Sequence, residues 1–261
     1  MTAILRSESG KRVRQSFVLV GAFGLLSAFL FAAFPAFADE AELIEDAFPE
    51  ALVALFGFEA MHTIEGFIGG YAYPMMWVLF TGLYFAYTSA GMIAGDIRER
   101  KMDLTLSNPV SRESVVLQKF AALWVPLVVL NVGLFLIVLV GSVAVGEWID
   151  PVVLGMTHLL SIPYLLVCAG IGLLLSVTVD RNETAEVGAL ALVFLLWLVD
   201  GIAEMSPDFE WLRYLTPSRY YDSSAILVHE EFALLDAAVL LVAFVALVGI
   251  AIGIFVRRDI Q

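Results

Sequence analysis

The chain has 261 residues, of which 61% are hydrophobic and only 16% charged, and its mean hydropathy is +0.90. A soluble domain carries about 25% charged residues, so this balance excludes an ordinary soluble enzyme and points to one lipid-embedded domain over residues 1–261. The net charge of −13 argues against a nucleic-acid partner, and the lone Cys168 leaves neither a disulfide framework nor a thiol metal cluster.

Apolar blocks long enough to cross roughly 30 Å of hydrocarbon fall at about 16–38, 72–94, 120–142, 152–179, 185–205 and 234–256. None shows the period-two alternation of a barrel strand, and a segment in lipid must satisfy its own backbone polar groups, so all six are expected to be helices. The expected fold is therefore an all-α, multi-pass membrane domain with six transmembrane helices. At the first block, Ala36-Phe37-Ala38 also fits a small-residue cleavage site, which would leave five spans. Its apolar stretch exceeds the roughly 7 to 15 residues of a leader core, so it is read as a span.

Six crossings put both ends on one side. The segments on that side hold 12 of the 14 Lys and Arg residues, whereas 18 of the 27 Asp and Glu residues lie on the opposite side. By the positive-inside rule the basic side, with both termini, is expected in the cytoplasm of a cell membrane. The outer side is strongly acidic from Asp39 to Glu65. That charge suits either a high-salt habitat or an ordinary solvated loop. A short amphipathic helix is expected there over 47–58.

Polar residues within the spans are few. Asp200 and Glu204 stand one turn apart near the outer end of the fifth block, where they either meet a cation or reach the hydrated interface. Asn131 and His158 are isolated, and such residues usually bond a neighbouring helix. His62 and His229 have no ligand-spaced partners, so no metal site is expected. The stretch from Glu204 to Phe232 carries Pro207 and Pro217 among aromatics, among them Tyr214 and Tyr220, which suits re-entrant outer helices before the last span.

The longest charged segment on the basic side runs from Asp96 to Glu113, between the second and third blocks. Ile97, Met102, Leu104 and Leu106 form an imperfect apolar stripe among charges of both signs, which suits a short surface helix against a protein. Pro109 stops it, and Ser111 offers an N-cap to the helix that follows. An acidic segment, a Leu-rich short helix, Pro109-Val110-Ser111-Arg112 and then Lys119 together resemble the permease subunits of ATP-binding-cassette exporters of the second export class. Leu215-Thr216-Pro217-Ser218-Arg219-Tyr220, and the ending Phe255-Val256-Arg257-Arg258-Asp259-Ile260, are similar to stretches of that family, so the resemblance covers the whole chain. It departs at Arg100, Lys101 and Met102, where the family has Gly-Thr-Leu, and at Thr105, where leucine is usual.

The resemblance implies a transport subunit rather than an enzyme, paired with a second permease, identical or homologous, and driven by a separate ATPase subunit. This chain itself would hold no cofactor. ATP and Mg would bind the partner, since the sequence contains no Gly-rich loop ending in Gly-Lys-Ser or Gly-Lys-Thr. It also implies a coupling helix between spans two and three, with Asp96, Glu99, Arg100, Lys101, Asp103, Leu104, Leu106, Pro109 and Arg112 as residues facing the ATPase. A membrane scaffold that moves nothing and an ion-coupled carrier are the alternatives, the latter hinted at by Pro126, Asn131 and Pro163 inside spans.

Overall fold

The computed structural model describes residues 3–41, 43, 60–205 and 207–258. The helix expected over 47–58, with most of the acidic loop, and the final residues Asp259 to Gln261 lie outside them. In chain order the helices are α1 (Ala3–Asp39), α2 (Ile64–Arg98), α3 (Lys101–Leu106), α4 (Arg112–Ala144), α5 (Pro151–Thr178), α6 (Asn182–Glu204), α7 (Glu210–Arg213), α8 (Ser223–His229) and α9 (Leu234–Arg257). No strand occurs among the described residues. The six long helices each have the length and hydropathy to cross a membrane, as the blocks require. The fold is that of an all-α, multi-pass membrane protein.

Several helices overrun their apolar blocks. α1 starts at Ala3, α2 at Ile64 and α4 at Arg112, because nothing stops the helix where the sequence becomes polar. Thr63 caps α2 by accepting from the Gly66 N–H at 3.1 Å, and Ser111 caps α4 by accepting from Ser114 at 3.3 Å, as its position predicts. Asp150 caps α5 at the Val152 N–H, 2.7 Å away, with Pro151 in the first turn, where its missing N–H costs nothing. Pro74 lies within α2, whose turns at Phe67–Ala72 and Pro74–Leu79 widen to π geometry. In α4 the chain tightens at Ala122 and Leu123, one turn ahead of Pro126, which has no N–H for Ala122.

α5 is the central helix, packed against α2, α4, α6, α8 and α9. Its closest neighbour is α2. Gly172 makes that approach possible: a Cβ there would overlap the Ala86 carbonyl oxygen and stand 2.9 Å from its carbon and 3.0 Å from the Ala90 nitrogen. One turn further on, Ser176 Oγ accepts from the Ile93 and Ala94 N–H groups at 3.0 and 3.1 Å. α1 lies along α4, where Gly133 leaves room for Val20 and Gly141 for the ring of Phe31. The outward faces of α1, α4, α6 and α9 stay apolar and open, with Leu25, Val140, Val187 and Leu235 exposed. Such faces suit a hydrocarbon solvent.

Asn131 and His158 bond neighbours inside this bundle. Tyr73 and His158 share a hydrogen bond at 2.9 Å, and Ser161 donates to Asn131 Oδ1 at 3.2 Å. At the acidic end, Asp200 and Glu204 hold Arg213, at 3.2 and 3.0 Å, and Thr216 donates to Asp200 at 3.0 Å. The two acids therefore take a guanidinium from their own chain. Pro217 is buried and leads into a 3₁₀ turn over Ser218–Tyr220. Tyr220 donates to the Tyr214 carbonyl at 3.0 Å, while Arg219 stands over the Tyr214 ring. The segment expected to dip back holds α7 and α8. α8 is pinned to α2 by Ser223, whose hydroxyl donates to the Gly69 carbonyl at 2.7 Å.

Candidate functional site

At the basic end of the bundle, α2 ends at Glu99, whose N–H bonds Gly95, and Arg100 then turns the chain with φ 56°. That left-handed conformation costs a residue with a Cβ about 1 kcal/mol and costs glycine little. It falls on the position where the resembled family has glycine, so the turn is kept here by an arginine. Arg100→Gly is expected to raise unfolding free energy by up to about 1 kcal/mol, measured by thermal unfolding in detergent. An unchanged or lower value would show that the turn carries no strain.

α3 follows for less than two turns. Its inward side is Met102, fully buried, with Leu106 half-buried against the core. Leu104 is 71% exposed, and Lys101 and Asp103 are exposed around it. The buried anchor is thus Met102, which sits where a leucine was usual, while Leu104 points outward. Asn108 and Ser107 close the helix by donating to the Leu104 carbonyl at 2.9 and 2.8 Å, and Pro109 stays exposed beyond them. Glu99 and Lys101 pair on the surface. The Lys101 hydrogen bond holds the Glu99 carboxyl below its usual range, and Glu99 in turn raises the Lys101 ammonium, so both are charged around neutral pH.

Both flanks of α3 are tied into the bundle. On one side Asp96 of α2 pairs with Lys119 of α4 at 2.6 Å, and Lys119, its side chain 5% exposed, also stands 3.6 Å from Glu8 of α1. Glu8 in turn faces Lys11 at 2.9 Å and Arg12 at 3.9 Å. On the other side Arg112 donates through Nη1 to the carbonyls of Phe255 and Val256, each at 3.3 Å, and to that of Arg258, and lies 5.9 Å above the Phe255 ring. Terminal carbonyls of a helix have no partner within it, so a guanidinium there satisfies both the hydrogen bonds and the helix dipole.

Arg258 repeats this arrangement one helix further on. It donates to the Val177 carbonyl at 2.7 Å, at the end of α5, and to Asp180 at 2.6 Å. Arg98 of α2 pairs with Glu183 at the start of α6. All six long helices are thereby joined at one end, and α3 hangs from the middle of the set.

Of the residues expected to face a partner, Glu99, Arg100, Lys101, Asp103, Leu104 and Pro109 are exposed, whereas Asp96, Leu106 and Arg112 are at least partly turned into the bundle. Glu8, Arg98 and Glu183 were expected only as sidedness or surface charge, Lys119 and Arg258 also as parts of the family resemblance, and Met102 as part of a stripe and of the departure from the family pattern; none was expected as a tie or an anchor. The bonds that join different helices here link residues 23 to 146 apart in sequence, from Asp96 and Lys119 to Arg112 and Arg258. No spacing rule reaches that far. The family model described as "ABC-2 family transporter protein" matches residues 2–260. No curated protein matches the sequence.

Proposed function

The chain belongs to the ABC-2 transporter family, and from that premise we propose that it is the permease of an ATP-driven exporter in the cell membrane. In this reading two permeases, identical or homologous, form the pathway, and separate ATPase subunits carrying ATP and Mg dock on the basic, cytoplasmic side. The observation that supports it best is Leu104, an apolar side chain left bare among charges of both signs on a helix whose two flanks, at Asp96 and Arg112, are tied into the bundle. An exposed leucine rimmed by charge suits a protein partner better than water or lipid.

ATP can drive such a device only by favouring one of two arrangements of the bundle, so α3 must fit its partner differently in each. A push on α3 would pass through Asp96 and Lys119 to α1, and through Arg112 to the end of α9 and on to α5. The acids an ion-coupled carrier would use, Asp200 and Glu204, are already occupied by Arg213.

The test uses the permease co-expressed with the cassette ATPase that this reading assigns to it. Leu104→Asp lies on the surface and is expected to reduce co-purification of the ATPase at least tenfold while leaving the permease's thermal unfolding unchanged. Equal retention by wild type and variant would overturn the docking assignment. Arg112→Gln is expected to keep the ATPase bound but lower transport per ATP hydrolysed by about tenfold, since it loses a charge-assisted set of hydrogen bonds. Full coupling in that variant would remove Arg112 from the path.

A further inference from the structure

Between the basic ends of α5 and α9 lies a groove of about 600 Å³, open to the outside of the bundle. Its walls are Val177 and Thr178 of α5 and Ile250, Gly253 and Ile254 of α9, and at its end stand Arg257 and Arg258. The volume falls within the roughly 300–1,000 Å³ of ligand sites. Gly253 leaves the floor clear, because a Cβ there would meet nothing within 4 Å.

The two arginines differ. Arg258 is held by the Val177 carbonyl and Asp180, whereas Arg257 is exposed and has no hydrogen-bond or ion-pair partner among the described residues. A free guanidinium beside a fixed one, at the mouth of an apolar groove on the lipid-facing side of a spanning helix, matches one kind of occupant. Its head must be anionic and accept two or more hydrogen bonds, and its body must be hydrocarbon.

We propose that this groove is a binding site for an anionic phospholipid of the leaflet at the basic end. The phosphate sits at Arg257 and Arg258, and one acyl chain lies along Val177, Ile250, Gly253 and Ile254. Arg–phosphate pairs are directional and strong, and basic pockets between spans at the cytoplasmic side are suited to acidic head groups. A second copy of the chain fits less well, because a two-fold contact at this face would press Arg257 and Arg258 against their own counterparts. The site needs only a membrane around the bundle and stands whether or not α3 is the ATPase dock.

Native mass spectrometry of the purified protein, titrated with phosphatidylglycerol or phosphatidylcholine of the same chains, tests this. Wild type is expected to retain the glycerol lipid at least fivefold better, the order of magnitude for one basic side chain at an anionic lipid surface. Arg257→Gln should bring the two lipids near parity and Arg257→Lys should keep part of the preference. Since Arg257 bonds no partner among the described residues, neither change should alter thermal unfolding.

Gly253→Leu should fill the floor and weaken both lipids, while Gly249→Leu, where a Cβ also meets open space but which lies outside the groove lining, should bind as wild type. Excess glycerol phosphate should not displace the lipid, because the head group alone leaves the groove empty. Equal binding of the two lipids by wild type, or unaltered lipid binding in Arg257→Gln or Gly253→Leu, would overturn the proposal. So would displacement by glycerol phosphate, which would mark a free-anion site. A change of oligomeric mass in Gly253→Leu without a change in lipid retention would overturn it in favour of a contact between copies.

Discussion

Lys119→Met is expected to lower the unfolding free energy by about 2–4 kcal/mol, because it removes the cation between Asp96 and Glu8 and leaves Asp96 without its partner, while Glu8 keeps Lys11 and Arg12. The Lys119 side chain is 5% exposed, while those of Asp96 and Glu8 keep 19% and 16% of their surface. Solvent therefore still reaches the carboxylates, which places the cost below the roughly 3–5 kcal/mol of a fully buried pair. The discriminating measurement is a double-mutant cycle. Asp96→Asn with Lys119→Met removes both charges of the short contact, so its loss should fall at least 1 kcal/mol short of the sum of the single losses. Additive losses would mean that the pair, though close, does not join α2 to α4. The exposed Arg98 and Glu183 pair should behave differently: its contribution is under about 1 kcal/mol and fades as salt rises.

Gly172→Ala is expected to be strongly destabilising for a single added methyl group. The added Cβ would meet backbone atoms of Ala86 and Ala90, which cannot rotate aside, so α2 and α5 must separate along their closest stretch. Overpacking of a tight core costs about 1–3 kcal/mol, and a rigid backbone neighbour puts this site at or above the upper end. Separation would also pull Ser176 from the N–H groups of Ile93 and Ala94. The control is Gly188→Ala in α6, where the nearest atom would be Leu175 Cδ1 at 3.7 Å. That change should be neutral or stabilising, since alanine is the better helix former by about 1 kcal/mol. Equal losses at the two positions, read as thermal unfolding in detergent, would show that helix propensity and not the approach of α2 decides.

How far the sequence reads correctly follows from what each signal depends on. Hydrocarbon thickness imposes itself on every span, so the six helices and their order are visible in composition alone. Their ends are less so. Arg112 to Lys119 is too polar to show in the apolar block at 120–142, and only the Ser111 cap marks it as helical; in the structure it is the start of α4, with Val115 and Val116 fully buried. The stripe through α3 names the right residues but not their directions. Met102 and Leu104 are both apolar and two apart, and only the position of the bundle decides that one is buried and the other bare. The caps that Arg112 and Arg258 supply are invisible for another reason: a carbonyl at a helix end looks the same in any sequence, and its partner arrives from a different span.

The close seats of α1 on α4 have a mechanical consequence. Val20 is seated in the space left by Gly133, a natural pivot point, and the helix continues unbroken past Glu8 toward Ala3. From Val20 to Glu8 is twelve residues, an arm of about 18 Å at 1.5 Å per residue. A tilt of about 5° around this pivot then moves Glu8 by about 1.6 Å, enough to lengthen its reach to Lys119 beyond a salt bridge. The same tilt swings the far end, at Phe34 and Phe37, in the opposite sense against Phe67. A tilt of the first helix would thus be felt at both of its ends, on opposite sides of the membrane.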